Sequence, residues 1–77
     1  MKVTVFSTPD CANCKPLKAS LTADGVEFEE VNCHESESFL LMREYGVRSV
    51  PTTIIHDGEV IYTVVGNKPK DIREVLQ

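Results

Sequence analysis

Apolar and polar positions change period several times along the 77-residue chain, and each change marks a new element. Lys2 to Phe6 is β-branched and aromatic, which predicts a buried strand. From Lys15 to Ala23 the period lengthens. Leu17 and Leu21 stand at i, i+4 with Cys14 one turn earlier on the same stripe, while Lys15 and Lys18 fall off it, as in a helix. Pro16 is tolerated only in a first turn, so it either sets the helix start near the cysteines or bends the helix just beyond them. Asp24-Gly25 ends the helix, with glycine in the C′ role.

Val26 to Asn32 alternates loosely and carries Glu27, Glu29 and Glu30, which predicts a strand at a sheet edge with its carboxylates in water. Asn32 followed by Glu35, or Ser36 alone, offers an N-cap for a helix through Phe39 to Tyr45 that stops at Gly46. Phe39, Leu41, Met42 and Tyr45 are spaced as core residues of that helix. Val47 to Ile55 begins as a loop and becomes a strand, with Pro51 expected at its first position. Asp57-Gly58 is the strongest hairpin signal in the chain, and Val60 to Val65 is the returning strand. Gly66 to Pro69 reads as a turn, and Lys70 to Leu76 as a closing helix with Ile72, Val75 and Leu76 inward.

The order is therefore β-α-β-α-β-β-α. A strand–helix–strand crossover implies a parallel pair and the hairpin an antiparallel one. The expected fold is α/β, a four-stranded mixed sheet with helices on both faces, built as a single domain over residues 1–77.

Composition narrows the function. Twelve acidic residues against eight basic ones give a net charge of -4, which argues against nucleic acid as a partner. No apolar run approaches the roughly 18 residues a membrane span needs. Lys2 is followed by too short an apolar stretch before Ser7 for a secretory leader. Three cysteines do not suit a secreted disulfide framework, and a cytoplasmic location is expected.

The chemistry concentrates in Ser7-Thr8-Pro9-Asp10-Cys11-Ala12-Asn13-Cys14-Lys15. Cysteines at i, i+3 beside a helix start share a face and lie close enough for a disulfide. Free backbone N–H groups and the helix dipole favour a thiolate there. Strand, turn, C-x-x-C and helix together read as a dithiol redox site, with Cys11 the more exposed nucleophile and Cys14 the resolving thiol. Two other readings stand beside it. C-x-x-C is half of a zinc site, for which Cys33-His34 is the nearest completion, although adjacent residues on a strand point to opposite faces. The other is a plain packing role for two structural cysteines.

This arrangement resembles the thioredoxin/glutaredoxin superfamily over essentially the whole chain. The resemblance is carried by Cys11-Ala12-Asn13-Cys14, the segment Tyr45 to Thr52 with its Val50-Pro51-Thr52, Asp57 to Val60, and Val65-Gly66. It implies a minimal thioredoxin fold. The length is similar to glutaredoxins and to the small glutaredoxin-like redoxins that reduce ribonucleotide reductase, whereas Tyr45 to Gly66 is more similar to thioredoxin. Thioredoxins carry tryptophan before the first cysteine and Gly-Pro between the two; here stand Asp10 and Ala12-Asn13. They also place a buried carboxylate six residues before the first cysteine, where this chain has Val5. Glutaredoxins have Cys-Pro-Tyr-Cys and a Gly-Gly-x-Asp type of glutathione-binding turn. Gly66-Asn67-Lys68-Pro69 is closer to the Gly-x-basic-Pro turn of the ribonucleotide-reductase redoxins.

The resemblance implies thiol–disulfide oxidoreductase activity with a redox-active Cys11–Cys14 disulfide, no metal and no bound cofactor. Electrons would come from NADPH-dependent thioredoxin reductase or from glutathione, and the substrate would be a protein disulfide such as that of ribonucleotide reductase. Pro51 should be cis, with Ala12, Asn13, Val50, Pro51, Val65 and Gly66 forming the substrate surface. Lys15 would favour the Cys11 thiolate. Arg48 and Lys68 read first as solvated surface and, functionally, as a basic rim near the site. Lys70 belongs to the same rim. Exchange of this kind needs no second chain, so a monomer is expected. A non-catalytic module holding zinc or a shared iron–sulfur cluster through Cys11, Cys14 and Cys33 is the alternative of another class. Cys33 is expected to be a small buried apolar residue rather than a regulatory thiol, and His34 and His56 to be surface or loop residues.

Overall fold

The computed structural model describes residues 1–77. Its elements are β1 (Lys2–Ser7), α1 (Cys14–Ala23), β2 (Glu29–Asn32), a 3₁₀ turn (Ser36–Ser38), α2 (Phe39–Tyr45), β3 (Thr52–Asp57), β4 (Val60–Val65) and α3 (Pro69–Leu76). The strands form one four-stranded sheet in the order β2-β1-β3-β4. β1 runs parallel to β2, with Phe6 beside Val31. It runs antiparallel to β3, with Val5 opposite Thr53, and β3 runs antiparallel to β4. The expected mixed sheet is present, and β2 is an edge strand as its glutamates suggest.

Strand alternation sorts the core into two clusters. On one face Val3, Val5, Ile55 and Val64 pack with Leu17 and Leu21 of α1 and Ile72 of α3. On the other, Phe6, Val47 and Ile54 pack with the partly buried Met42 and Tyr45 of α2. The helices thus lie on both faces.

Several boundaries move for local reasons. β2 begins only at Glu29, not Val26. The end of α1 claims the intervening backbone: Val26 N–H donates to the Leu21 carbonyl at 2.9 Å and Gly25 N–H to the Thr22 carbonyl at 3.1 Å. That is a Schellman closure, and it needs the positive φ of +74° that Gly25 adopts. Val26 and Phe28 still pack against the α1-side core, from a loop rather than a strand. α1 itself starts at Cys14, so Pro16 falls in the first turn. α3 starts at Pro69, one residue earlier than expected, because a first-turn N–H has no helical partner to lose. The hairpin loop is Gly58-Glu59, since Asp57 still pairs with Val60. Gly58 has φ +60° and no non-glycine residue has positive φ, the type II′ pattern.

The α2 region departs furthest from expectation. Asn32 does not cap the helix: its side-chain oxygen accepts the His34 N–H at 2.9 Å, forming a tight local turn. Neither Ser36 nor Glu35 caps it, and the chain passes through the 3₁₀ turn first. Phe39 is 59% exposed and Leu41 40%, so neither is the core residue its spacing suggested. Met42 and Tyr45 are the α2 residues that pack against the Phe6–Val47–Ile54 cluster. The Arg43 guanidinium lies 6.0 Å from the Phe39 ring centroid, giving that ring a partner at the surface. His56 is not in a loop either. It sits in β3, half-buried, with Nε2 3.0 Å from the Tyr45 hydroxyl.

Candidate functional site

β1 delivers the chain to a turn at one end of the sheet. The Cys11 N–H donates to the Thr8 carbonyl at 3.3 Å, which curls Thr8 to Cys11 back on itself before α1 begins. Cys11 lies in this turn and is half-buried, while Cys14 opens α1 and is 1% exposed. The two are joined as a disulfide across a Cα–Cα distance of 5.4 Å. The difference in exposure follows from the helix. Cys14 shares the inward stripe of Leu17 and Leu21, whereas Cys11 precedes the stripe. Ala12 and Asn13, between them, are exposed.

The electrostatics of the turn are mixed. No side chain caps α1 and no acidic residue stands in its first turn, so the free N–H groups there face the cysteine turn. Lys15 is exposed beside them. Asp10 opposes them. A hydrogen bond from the Thr8 side chain, then one from its own backbone, and a smaller attraction to His34 hold its carboxyl below the usual carboxylate range. It is therefore an anion at neutral pH. His34 Nε2 lies 3.7 Å from the Asp10 carboxylate, linking the loop after β2 to the cysteine turn. Neither the Thr8–Asp10 bond nor the His34 contact was expected from sequence; a threonine two residues before an aspartate was the only hint.

At the same end of the sheet stands a second loop, because Phe6 pairs with Thr52. The Val50–Pro51 bond is cis and Pro51 is buried. The Thr52 hydroxyl donates to the Ser49 carbonyl at 2.8 Å, bracing this loop, and strand β3 starts at Thr52, one residue after the expected position. The Gly66 N–H donates to the Pro51 carbonyl at 2.8 Å, and Val65 pairs with Thr52. Val50, Pro51, Val65 and Gly66 thus form one continuous ledge. Arg48 and Lys68 are exposed on the flanking turns and take part in no ion pair or side-chain hydrogen bond.

Cys33 lies just beyond β2, and its N–H donates to the Ser7 carbonyl at 2.8 Å. It is half-buried against the Phe6–Val47–Ile54 cluster, and burial pushes its thiol pKa up. No group of three His, Cys, Asp or Glu side chains is arranged to hold a metal ion. No helix is long and apolar enough to cross a membrane.

A cysteine pair at the start of a helix on this four-stranded sheet, with a cis-proline loop at the same end of the sheet, defines a thioredoxin-fold redox protein. The glutaredoxin family model matches residues 3–61. The thioredoxin of Bacillus subtilis (strain 168) is 36% identical over 92% of this chain and 73% of its own length. Among solved structures, a glutaredoxin from Methanosarcina mazei superposes with a TM-score of 0.81 at 35% identity, covering 97% of this chain and 77% of the other. The glutaredoxin-like NrdH-redoxin of Escherichia coli, described by a thioredoxin-like activity profile, superposes at 0.77 with 26% identity, covering 97% and 95%. The chain spans from 60% to 96% of the lengths of the curated relatives it matches. The chain belongs to the glutaredoxin family, within the thioredoxin/glutaredoxin superfamily.

Proposed function

We propose that this chain reduces protein disulfides by dithiol exchange, with Cys11 as nucleophile and Cys14 as resolving thiol. The observation that carries this reading is the asymmetry of the Cys11–Cys14 disulfide: one cysteine is half-buried in the turn, the other enclosed at the start of α1. The Cys11 thiolate attacks a substrate sulfur, and the departing substrate thiolate takes up a proton. Cys14 then attacks Cys11 and frees the second substrate sulfur. Two electrons pass from the dithiol to the substrate, and the Cys11–Cys14 disulfide is left behind.

An extended substrate segment would lie along Val50, Pro51, Val65 and Gly66, with its backbone paired to Val50 and with Ala12 and Asn13 beneath it. Lys15, Arg48 and Lys68 would attract its acidic residues. Thioredoxin reductase is the proposed electron source, ribonucleotide reductase the proposed substrate, and the cytoplasm the proposed compartment. A monomer suffices. The match to the glutaredoxin family model favours one second reading, recharging by glutathione.

A coupled NADPH-consumption assay separates them. One arm supplies thioredoxin reductase, the other glutathione with glutathione reductase. Turnover in the first arm alone is expected; turnover with glutathione alone makes the chain glutathione-dependent and the Lys68 turn its binding site. Cys11→Ser is expected to abolish turnover and Cys14→Ser to accumulate mixed disulfides. Full activity in Cys11→Ser overturns the assignment.

A further inference from the structure

Thr53, in β3, is 0% exposed, and its hydroxyl is a buried side-chain polar group without a hydrogen-bond partner. Buried hydroxyls nearly always find a partner, so an orphan in the core asks for an explanation.

Its position supplies one. Thr53 pairs with Val5 on β1 and with Val64 on β4. Directly paired residues project from the same face, so Thr53 belongs to the α1 side. Val5 and Val64 there pack with Leu17 and Leu21. One turn before Leu17, on the same inward stripe, is Cys14, enclosed at 1% exposure. Thr53 is also only two residues from Pro51, at the end of the sheet that bears the disulfide. The orphan hydroxyl and the enclosed sulfur therefore both lie in the layer between the sheet and α1.

The other hydroxyls nearby have different surroundings. Thr52 donates to the Ser49 carbonyl. Ser7 borders a polar, solvent-open cleft with Thr8 and Lys18. Val5, opposite Thr53, offers no polar atom. In the disulfide, Cys14 sulfur is at best a weak acceptor. Once the disulfide is opened, Cys14 must become a thiolate in this layer to act as a nucleophile, and a buried thiolate needs a donor. Thr53 has one O–H to give.

We propose that the Thr53 hydroxyl donates to Cys14 sulfur in the reduced protein and stabilises its thiolate for the resolving step. The proposal rests on the dithiol-exchange reading. In that step the Cys14 thiolate attacks Cys11 sulfur of the mixed disulfide. The Cys14–Cys11 bond forms as the Cys11–substrate bond breaks, and the substrate sulfur leaves with the electron pair and is protonated from solvent. The proton Cys14 gave up has already passed to solvent; Thr53 keeps its own. Thr53 is a positioning residue for Cys14, orphaned in one redox state and satisfied in the other.

The test compares Thr53→Val, which keeps the shape and removes the hydroxyl, with Thr53→Ser, which keeps the hydroxyl. Cys14 is titrated in the reduced proteins by the ¹³C shift of its labelled Cβ, and release of a preformed mixed disulfide at Cys11 is timed. Thr53→Val should raise the Cys14 midpoint by about one pH unit, tenfold in acidity. Because a more basic thiolate is also more nucleophilic, release should slow by only about threefold. Thr53→Ser should titrate with the wild type. A Thr53→Val protein that titrates with the wild type overturns the proposal, as does a Thr53→Ser protein that titrates with Thr53→Val. The titration needs no turnover, so it decides the role of Thr53 even if the wild type fails the coupled assay, a failure that would overturn the functional reading instead.

Discussion

On the α1–α3 face of the sheet, Val3, Val5, Leu17, Leu21, Ile55, Val64 and Ile72 form one buried cluster. On the α2 face only Phe6, Val47 and Ile54 are fully buried, and no residue of α2 itself is. The two faces bury their apolar side chains differently. α1 lays an i, i+4 stripe along the sheet, while α2 has seven residues and touches it through Met42 and Tyr45. Leu40 remains 74% exposed, and on β4 Ile61 and Val65 are 49% and 53% exposed beyond the reach of α2. The disulfide is anchored to the better-packed face. A cysteine pair that cycles between bonded and free states gains from a helix held firmly behind it, and the thinner face can carry residues that matter little to stability.

Truncation on each side should separate the faces most strongly. Leu17→Ala removes a fully buried side chain and should cost about 2–5 kcal/mol. Phe39→Ala, on the exposed start of α2, should cost under about 0.5 kcal/mol. Denaturant midpoints with constant slope measure both. Equal losses at the two sites would mean that α2 carries as much of the fold as α1.

The same contrast explains what could be read in advance. Cys14, Leu17 and Leu21 have one helical solution, because polar residues separate them. Phe39-Leu40-Leu41-Met42 is an unbroken apolar run, and no period selects its inward face. Nor is the helix start legible: the Asn32 side chain takes the His34 N–H instead of capping the helix, a local competition that composition does not decide. The C-x-x-C and the alternation of strands and helices were legible because each is tied to a short stretch, whereas the cis Pro51 followed only from the family resemblance and the strand order β2-β1-β3-β4 came only with the fold. The Gly66–Pro51 bond, the Asp10–His34 contact and the orphan Thr53 hydroxyl join distant or cross-strand residues, and only the fold brings them together.

A milder perturbation probes the thin face from within. Tyr45 packs edge-on against Phe6 at 6.2 Å and against His56 at 5.5 Å, with its hydroxyl bonded to His56 Nε2. Tyr45→Phe keeps the ring contacts and removes that bond, so it should cost about 0.5–1.5 kcal/mol. His56→Phe in the same background should then cost little more for the bond itself, and a double-mutant cycle of midpoints reads the coupling. A coupling near zero would show that the pair is held by ring packing alone.

The smallest effect concerns Cys33, at the border between the thin face and the redox end. Burial raises its thiol pKa, so the fold favours the protonated form. The sign follows directly. The unfolded thiol ionises near its ordinary value of about 8.5, the folded one higher. Between those values the folded chain holds more protons than the unfolded chain, so stability falls as pH rises through that window and is unaffected below it. With Cys11 and Cys14 kept in their disulfide, Cys33 is the free thiol that iodoacetamide can reach. Its alkylation rate against pH should show a midpoint higher in the native protein than in the same protein unfolded in urea. A native midpoint equal to or below the unfolded one would mean that Cys33 is not packed against Phe6 and Val47 in solution, and the α2 face would be thinner still.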